Sequence, residues 1–265
     1  MRSPLVAGQF YPGTKDELLN DLDTLIPSGK EKKDVIGIMT PHAGYMFSGA
    51  VAGEVFAGIV PKSTYIILGP SHTGKGARIA SDKEPWSTPI DGVEIDIELL
   101  DAIMAKTTVL TVDKLAHTFE HSIEVQIPFI QKISPDARIL PITIQQGSLI
   151  EYTELAKAMA NVIKQTDKDI IIVSSTDMTH YETRKMAKYK DQMAIDEVLK
   201  IDGEGLLRVV EEHRISMCGY IPTSIMLMAA KEMGAVNAEL VSYTDSGAIT
   251  GDTSEVVGYA GIVVY

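Results

Sequence analysis

The sequence predicts an α/β fold, in which a central β-sheet of largely parallel or mixed strands is flanked by helices, in a single domain over residues 1–265. Short runs rich in β-branched residues alternate with longer amphipathic runs, which is typical of a sheet covered by helices. Most of the short runs are apolar throughout, as expected of strands buried on both faces. No repeat, Pro/Ser-rich linker or charge block divides the chain, so no boundary between domains is predicted.

Each element follows from its local pattern. Apolar, β-branched runs predict strands at 35–39, 64–68, 137–144, 169–174, 238–242 and 257–264. Amphipathic runs predict helices at 14–25, 49–59, 97–106, 151–165, 185–200, 203–212 and 222–233. In the first helix, Leu18, Leu19, Leu22 and Leu25 recur at helical spacing behind Thr14, which we expect to cap the helix. This leucine face therefore packs into the core.

The composition excludes several classes of protein. Hydrophobic residues make up 45% of the chain and charged residues 23%, as in ordinary globular proteins, which excludes wholesale disorder. The 24 basic and 36 acidic residues give a formal net charge of −12, so the basic face that a nucleic-acid partner requires is missing. No run of about 18 apolar residues is present, so no membrane partner is expected.

The cysteine content and the first residues bear on the compartment. Cys218 is the only cysteine, so the chain can close no internal disulfide and a reducing environment is expected. Pro4, Gly8 and Pro12 interrupt the region where an export signal needs a continuous apolar stretch. We therefore expect a cytoplasmic protein. The sequence carries no signal for its oligomeric state.

Three of the six histidines follow directly after predicted strands. His42 lies in a turn after strand 35–39, His72 in a similar turn after strand 64–68, and Asp177 and His180 follow strand 169–174. Ligands of open α/β sheets collect beyond the carboxyl ends of the strands. If these strands are neighbours, three imidazoles and one carboxylate converge at one edge. Imidazole binds borderline divalent metals well, so the pattern predicts a metal site.

Cys218 lies just ahead of a predicted apolar helix. The dipole at the N-terminus of that helix would favour a thiolate, which could bind the metal. A small, inert, buried thiol is the usual fate of a free cysteine and fits the same residues equally well. Both interpretations stay open on the residues alone.

Residues 69–76 nearly match the phosphate-binding loop G-x-x-x-x-G-K-[ST]. The final position is Gly76, which has no hydroxyl for Mg²⁺, and the following residues contain Pro85 and Pro89 where that loop needs a helix. The sequence therefore favours a structural loop over a nucleotide site.

His117, Glu120 and His121 match the inverted zincin pattern H-x-x-E-H, in which two histidines one helical turn apart hold zinc beside a general-base glutamate. The pattern needs a helix through residues 117–121, whereas the apolar helical period begins only at Ile123 and is interrupted by Pro128. A zinc peptidase is the less favoured hypothesis. It predicts loss of metal on replacement of His117 and none on replacement of His42.

A set of motifs along the chain resembles the Memo family, named for mediators of cell motility. The motifs are Ala7-Gly-Gln-Phe-Tyr-Pro12, Pro41-His-Ala-Gly-Tyr45, Ser48-Gly49, Leu68-Gly-Pro-Ser-His72, Glu120-His-Ser-Ile-Glu124, Ser174-Ser175 with Asp177 and His180, Cys218-Gly219 and Val257-Gly-Tyr-Ala-Gly261. They extend from one end of the chain to the other. The resemblance therefore covers the whole chain.

The resemblance implies a fold similar to that of the class III extradiol ring-cleaving dioxygenases, non-haem Fe(II) enzymes that hold iron with two His and one Glu. By motif, His42 and His72 match the two metal imidazoles and His180 matches the acid/base histidine. Cys218 falls where the dioxygenase pattern has the carboxylate. Because a thiolate is a softer ligand, copper and Zn²⁺ compete with Fe(II) for such a site.

The leading hypothesis from the sequence is a metal-dependent oxidoreductase with one ion, Fe(II) or copper before zinc, on His42, His72 and Cys218. His180 would move protons, and Asp177 would orient an imidazole or fix its tautomer. The substrate, a small molecule or a peptide, would lie in a pocket lined by three further side chains, Tyr45, Glu120 and His121. The alternative is a non-catalytic module that binds a peptide or an anion in the same cleft.

Overall fold

A computed structural model describes all 265 residues. Its strands are β1 (Gly37–Thr40), β2 (Thr64–Pro70), β3 (Ile79–Ser81), β4 (Trp86–Ser87), β5 (Gly92–Val93), β6 (Thr111–Val112), β7 (Arg138–Ile144), β8 (Ile170–Ser175), β9 (His180–Glu182), β10 (Ala238–Asp245) and β11 (Val256–Val264). Its helices are α1 (Lys15–Leu25), α2 (Tyr45–Ala57), α3 (Ile97–Met104), α4 (Ile127–Ile133), α5 (Leu149–Ile163), α6 (Arg184–Leu199), α7 (Gly203–Glu212), α8 (Tyr220–Glu232) and α9 (Gly247–Thr250), with 3-10 turns at Lys114–His117 and Glu124–Gln126.

One nine-stranded sheet organises the molecule. Its order is β10-β11-β1-β8-β2-β7-β3-β6, with β9 paired to β11, and β4 and β5 form a separate hairpin. The pairs β1–β8, β8–β2 and β2–β7 are parallel, whereas β11 pairs antiparallel with β1 and β10. The predicted α/β class with a mixed central sheet is confirmed.

Helices cover both faces of the sheet. Successive strand residues point to opposite faces, so Ile66 and Leu68 pack into a core under α3, α5, α6, α7 and α8, while Tyr65 and Ile67 pack into a second core under α1, α2 and α4. All four of these strand residues are fully buried. This two-sided burial is the reason that the central strands are apolar at every position.

The predicted elements are present, with shifted boundaries and additions. Helix α2 begins at Tyr45, four residues earlier than expected, directly after the turn that holds His42. Helix α4 was not predicted. Pro128 lies in its first turn, where a backbone N–H has no partner inside the helix, so the missing N–H of proline costs nothing there and the helix can begin. Thr14 occupies the N-cap of α1, but its hydroxyl donates to Glu17 and accepts no backbone N–H.

The leucines of α1 behave largely as expected. Leu18 and Leu22 are fully buried in the second core, Leu25 is half-buried against it, and Leu19 is half-buried. No helix in the structure combines the length and the apolar character needed to cross a bilayer.

A buried carboxylate at the start of α3 gives a pH-dependent prediction. Asp96 accepts hydrogen bonds from the Leu99 N–H, the Thr64 hydroxyl and the Lys168 ammonium. Burial raises the pKa of Asp96, but the Lys168 ammonium and the other donors outweigh it and leave the pKa below its usual value. Because the folded-state pKa is the lower one, this carboxylate stabilises the fold above about pH 4 and the contribution is lost as pH falls.

Asp96→Asn is therefore expected to lower the free energy of unfolding by about 1.5 kcal/mol at pH 7, and by less at pH 3. Urea unfolding at the two pH values measures the difference. Glu98→Gln is the control, because Glu98 contacts the same Lys168 ammonium but its side chain is 83% exposed. An Asp96→Asn effect that does not shrink at pH 3 would show that the carboxylate charge is not involved.

Candidate metal centre

The loops that carry the strand-end histidines emerge from three neighbouring strands. His42 follows β1, His72 follows β2, and Asp177 follows β8, which lies between the other two and runs parallel to both. The imidazole centroids of His42 and His72 are 5.2 Å apart. The convergence predicted from the strand ends therefore occurs in the structure.

Cys218 joins this edge from a distant part of the chain. It immediately precedes Gly219, the N-cap of α8. A Cβ on Gly219 would lie 2.4 Å from the Ser175 carbonyl oxygen, so only glycine allows α8 to approach the end of β8 this closely. The approach places Cys218 Sγ 3.3 Å from His42 Nε2. The potential ligand atoms of His42, His72 and Cys218 all lie within 4.8 Å of one another.

Hydrogen bonds fix the tautomer of His42. The Ser175 hydroxyl donates to the Ser122 carbonyl and accepts from the Gln126 amide, so it meets His42 Nδ1 as an acceptor at 2.9 Å. His42 Nδ1 therefore carries the proton, and its Nε2 lone pair points toward Cys218. Burial, and then the neighbouring imidazoles, lower the pKa of His42 well below its ordinary value. The ring is neutral, as a metal ligand must be.

A carboxylate fixes the tautomer of His72. His72 Nδ1 donates to Glu120 Oε1 at 2.9 Å and the His72 backbone N–H donates to Glu120 Oε2 at 2.6 Å. His72 Nε2 has no protein partner. Burial lowers the pKa of His72, but the Glu120 carboxylate outweighs it and leaves the pKa raised. Donation from the non-ligating nitrogen to a carboxylate is the arrangement that orients metal-binding histidines.

The surroundings of Cys218 favour the protonated thiol over the thiolate. Burial raises the pKa of the thiol strongly, and the Asp177 charge adds to that shift. Loss of solvation therefore opposes the thiolate that the N-terminus of α8 would favour. The Asp177 N–H donates to Sγ at 3.2 Å, which would help to hold a thiolate once a cation displaces the proton.

The contacts of Asp177 bear on its predicted roles. Its Oδ1 accepts the backbone N–H of His42 at 2.8 Å and contacts no imidazole nitrogen. Of the two roles predicted for Asp177, fixing the tautomers of His42 and His72 falls to Ser175 and Glu120, whereas orienting an imidazole stays a prediction. Asp177 fixes the backbone of the His42 turn, and burial raises the pKa of its carboxyl group.

His180 opens the short strand β9 and faces the same cleft. Its Nδ1 lies 2.8 Å from the Ser216 carbonyl oxygen, which can only accept, so Nδ1 carries the proton. The His180 backbone N–H donates to the Ser216 hydroxyl at 2.7 Å, so Ser216 holds both the ring and the backbone of His180. His180 Nε2 has no protein partner, and in the neutral ring it is the acceptor nitrogen.

Of the three residues predicted to line the pocket, only His121 does so in the structure. His121 lines the cleft, with its ring 4.8 Å from that of His72 and 5.6 Å from that of His42. Glu120 lies behind His72, 1% exposed, and supports that ring rather than lining the cleft. Tyr45 is directed away from the histidines: its hydroxyl donates to the Val125 carbonyl and its ring packs against Phe129 in the core.

The H-x-x-E-H pattern does not form a zinc site. Its first residue, His117, ends a 3-10 turn, and no helix continues to His121. Both ring nitrogens of His117 are engaged inside the core, with the Ala80 carbonyl and the Thr143 hydroxyl. The zinc-peptidase hypothesis is therefore wrong for this geometry.

His72, Glu120 and His121 form a second group of possible ligands, whose atoms also lie within 4.8 Å of one another. Glu120 Oε1 already accepts from His72 Nδ1 and from the backbone N–H groups of His121 and Ser122. These contacts hold the pKa of Glu120 at about 2 against the effect of burial, which raises it. With its oxygens occupied, Glu120 acts as a support for His72 rather than as a metal ligand.

The cleft in front of these groups has a volume of about 490 Å³. Its walls are aromatic and polar, and they contain no lysine or arginine. They include Phe10, His42, Phe47, His72, His121, Asp177, His180, Tyr181 and Tyr259. Tyr181 is 74% exposed at the cleft and has a φ of 57°, a strained value for a residue with a side chain.

Sequence reasoning missed the supports of the site. Gln126 donates to the Pro41 carbonyl and to the Ser175 hydroxyl, and accepts from the Thr40 hydroxyl, all inside the core. Ser175 lies in the motif Ser174-Ser175, but the sequence predicts no role for its hydroxyl. Gln126 lies two residues after the motif at residues 120–124. A polar residue between the apolar Val125 and Ile127 is the one signal that could have indicated it.

Replacing Glu120 tests its proposed support of His72. Glu120→Gln keeps the size of the side chain but weakens the contact with His72 Nδ1, so affinity for Zn²⁺ is expected to fall about 10- to 100-fold. Competition with a chromophoric chelator measures the change. Glu151→Gln is the control, because Glu151 contacts only Arg78 and Ser148 on the surface. Equal affinity of wild type and Glu120→Gln would remove Glu120 from the metal centre.

These features define a class of protein: a mixed α/β sheet with a candidate two-histidine, one-cysteine metal centre at the carboxyl ends of its parallel strands. The profile of the family described as "Memo-like protein" matches residues 2–263. The chain belongs to the Memo-like family.

Curated relatives agree with this assignment, and a solved structure matches the fold. "MEMO1 family protein" from Methanosarcina mazei is 40% identical over 100% of this chain and 99% of the relative, and that of Methanococcoides burtonii is 41% identical over 100% of both. The crystal structure of an uncharacterized Escherichia coli K12 protein matches with a TM-score of 0.55 over 84% of this chain and 98% of that one. At 12% identity, it shows the fold alone.

Proposed function

We propose that this protein is a metal-dependent oxidoreductase that holds one iron or copper ion, with zinc as the competing metal, on His42, His72 and Cys218. The observation that supports this function best is the engagement of both Nδ1 atoms: His42 Nδ1 contacts Ser175 and His72 Nδ1 contacts Glu120, so the Nε2 atom of each ring is the one available to an ion. His42 Nε2 and Cys218 Sγ are 3.3 Å apart, close to the spacing of two ligands on one ion. Three protein ligands leave coordination positions for a substrate.

A redox-active ion bound there would supply electron-transfer or oxygen-dependent chemistry to a substrate in the cleft. The chain's own residues would control protons. His180 Nε2 is a base with a fixed orientation, and it can take a proton from a substrate hydroxyl because its Nδ1 proton is already donated to Ser216. The buried Asp177 lines the same cleft, and its negative charge would favour the resulting imidazolium.

The cleft walls favour a small molecule over an anionic peptide. Phe10 and Phe47 present aromatic surface and would exclude water from the reacting groups. A module that captures phosphate or carboxylate groups normally offers arginine or lysine, and none lines this cleft. The binding-module hypothesis therefore has less support than the oxidoreductase.

Anaerobic loading with Fe(II), followed by oxygen uptake with a panel of catechols, tests the proposal. We expect uptake by the wild type, and loss of uptake without loss of metal in His180→Gln, because that variant lacks the base but keeps the three ligands. His213→Gln, a change of the same type at the end of α7, is expected to behave as wild type. Absence of uptake together with saturable, metal-independent peptide binding would overturn the oxidoreductase in favour of the binding module.

A further inference from the structure

Arg2 is a buried arginine that the proposed chemistry does not use. It is 7% exposed, and its guanidinium lies 4.1 Å from the centroid of the Trp86 ring. Its Nη1 donates to Glu124 at 2.7 Å, in an ion pair whose carboxylate is fully buried. Its remaining donors point in another direction, toward the loop that carries Glu120.

Arg2 bonds the backbone of that loop at two points. Its Nε donates to the His117 carbonyl at 2.9 Å and its Nη2 donates to the Glu120 carbonyl at 2.6 Å. The residues between belong to no helix or strand, and Phe119 is 49% exposed. The Glu120 carbonyl accepts no backbone N–H, so Arg2 is its hydrogen-bond partner.

The same loop determines where the Glu120 carboxylate lies. That carboxylate meets both the ring and the backbone of His72. A rigid, planar guanidinium that fixes two carbonyls therefore constrains the carboxylate on which the His72 ring depends. A lysine could still pair with Glu124, but its single ammonium cannot also donate to the His117 and Glu120 carbonyls in the geometry of the planar guanidinium.

We propose that Arg2 is a positioning residue of the metal centre, which acts through the backbone of residues 117–120 to hold Glu120 against His72. The inference rests on the proposed metal site. It assigns to the N-terminal segment a function beyond its packing, namely the tuning of metal affinity at a site it does not touch.

A double-mutant cycle between Arg2 and Glu120 tests the proposal. Zn²⁺ affinity is measured by chelator competition for wild type, Arg2→Lys, Glu120→Gln and the combined variant, below the unfolding temperature of each. We expect Arg2→Lys to weaken binding about tenfold, at the lower end of the cost of losing an outer ligand support. In the Glu120→Gln background the same change is expected to have less than about a twofold effect, because the two residues act through one contact.

Three outcomes separate the possibilities. An Arg2→Lys protein that unfolds more easily but binds zinc as tightly as wild type would overturn the proposal, because Arg2 would then be structural only. Equal losses in both backgrounds would overturn it as well, because Arg2 would act independently of Glu120. A wild-type protein without zinc affinity would instead refute the proposed metal centre itself.

Two further variants keep the test decisive if Arg2→Lys does not fold. Trp86→Phe retains the charges of Arg2 and Glu124 but reduces the aromatic surface under the guanidinium. Like Arg2→Lys, it should weaken zinc binding, and the effect should vanish in the Glu120→Gln background. Arg184→Lys is the matched control, since Arg184 forms a similar fork with Asp245 and contacts no residue of the metal centre. Unchanged zinc binding in Trp86→Phe would contradict the proposal.

Discussion

Replacement of Glu124 with leucine is expected to lower the free energy of unfolding by about 3 to 5 kcal/mol, the cost of leaving one member of a buried ion pair without its partner. Glu124 is fully buried, and its carboxylate accepts hydrogen bonds from Arg2, from the backbone N–H groups of Leu5 and Val6, and from the Tyr11 hydroxyl. Leucine fills the volume but satisfies none of these donors.

Urea unfolding followed by tryptophan fluorescence measures this loss. Trp86 is the only tryptophan, is 1% exposed and contacts Arg2, so its emission reports on the same region. Glu98→Leu is the control, because it removes a carboxylate that is largely exposed and is expected to cost less than about 1 kcal/mol. A Glu124→Leu loss as small as that of the control would show that the carboxylate does not anchor the N-terminal segment.

Replacement of His42 with asparagine is expected to reduce Zn²⁺ affinity more than about 100-fold. Loss of an outer support costs up to about that factor, and loss of a direct ligand should exceed it. The asparagine amide can still donate to the Ser175 hydroxyl, as His42 Nδ1 does, but it places no nitrogen at the position of Nε2. The variant therefore removes the ligand while retaining the local hydrogen bond.

His213→Asn provides the matched comparison, because His213 lies at the exposed end of α7, away from the cleft. We expect its zinc affinity to equal that of wild type. Chelator competition measures both variants, and far-ultraviolet circular dichroism confirms that each is folded. If His42→Asn and His213→Asn bind zinc equally well, the ion is held elsewhere.

The sequence predicted the central strands and the convergence of His42, His72 and His180 because both follow from local patterns. A strand buried on two faces is a continuous apolar run, and the residues after parallel strands must emerge at one edge. The recruitment of Cys218 was open on the residues alone, since it depends on how closely α8 approaches β8. Gly219 permits that approach, but its neighbours are visible only in three dimensions.

The supporting contacts could not be predicted in the same way. Arg2 and Glu124 are 122 positions apart, and neither lies in a local pattern that names the other. The sequence pattern does not indicate helix α4, because a proline inside a helical period usually interrupts it, whereas Pro128 lies in the first turn. The direction of a side chain is also not determined by its proximity in sequence to a ligand: Asp177 accepts the His42 backbone N–H rather than a ring nitrogen, and Tyr45 packs against Phe129.

Titration of the metal-free protein with Co²⁺, followed by absorption spectroscopy, tests the central claim most directly. Co²⁺ commonly replaces zinc or iron at such sites, and a thiolate ligand produces a near-ultraviolet charge-transfer band. We predict that this band saturates at one ion per chain in the wild type and is absent in Cys218→Ser. A wild-type protein that binds Co²⁺ without the band, or a Cys218→Ser protein with an unchanged spectrum, would contradict a metal centre built from His42, His72 and Cys218.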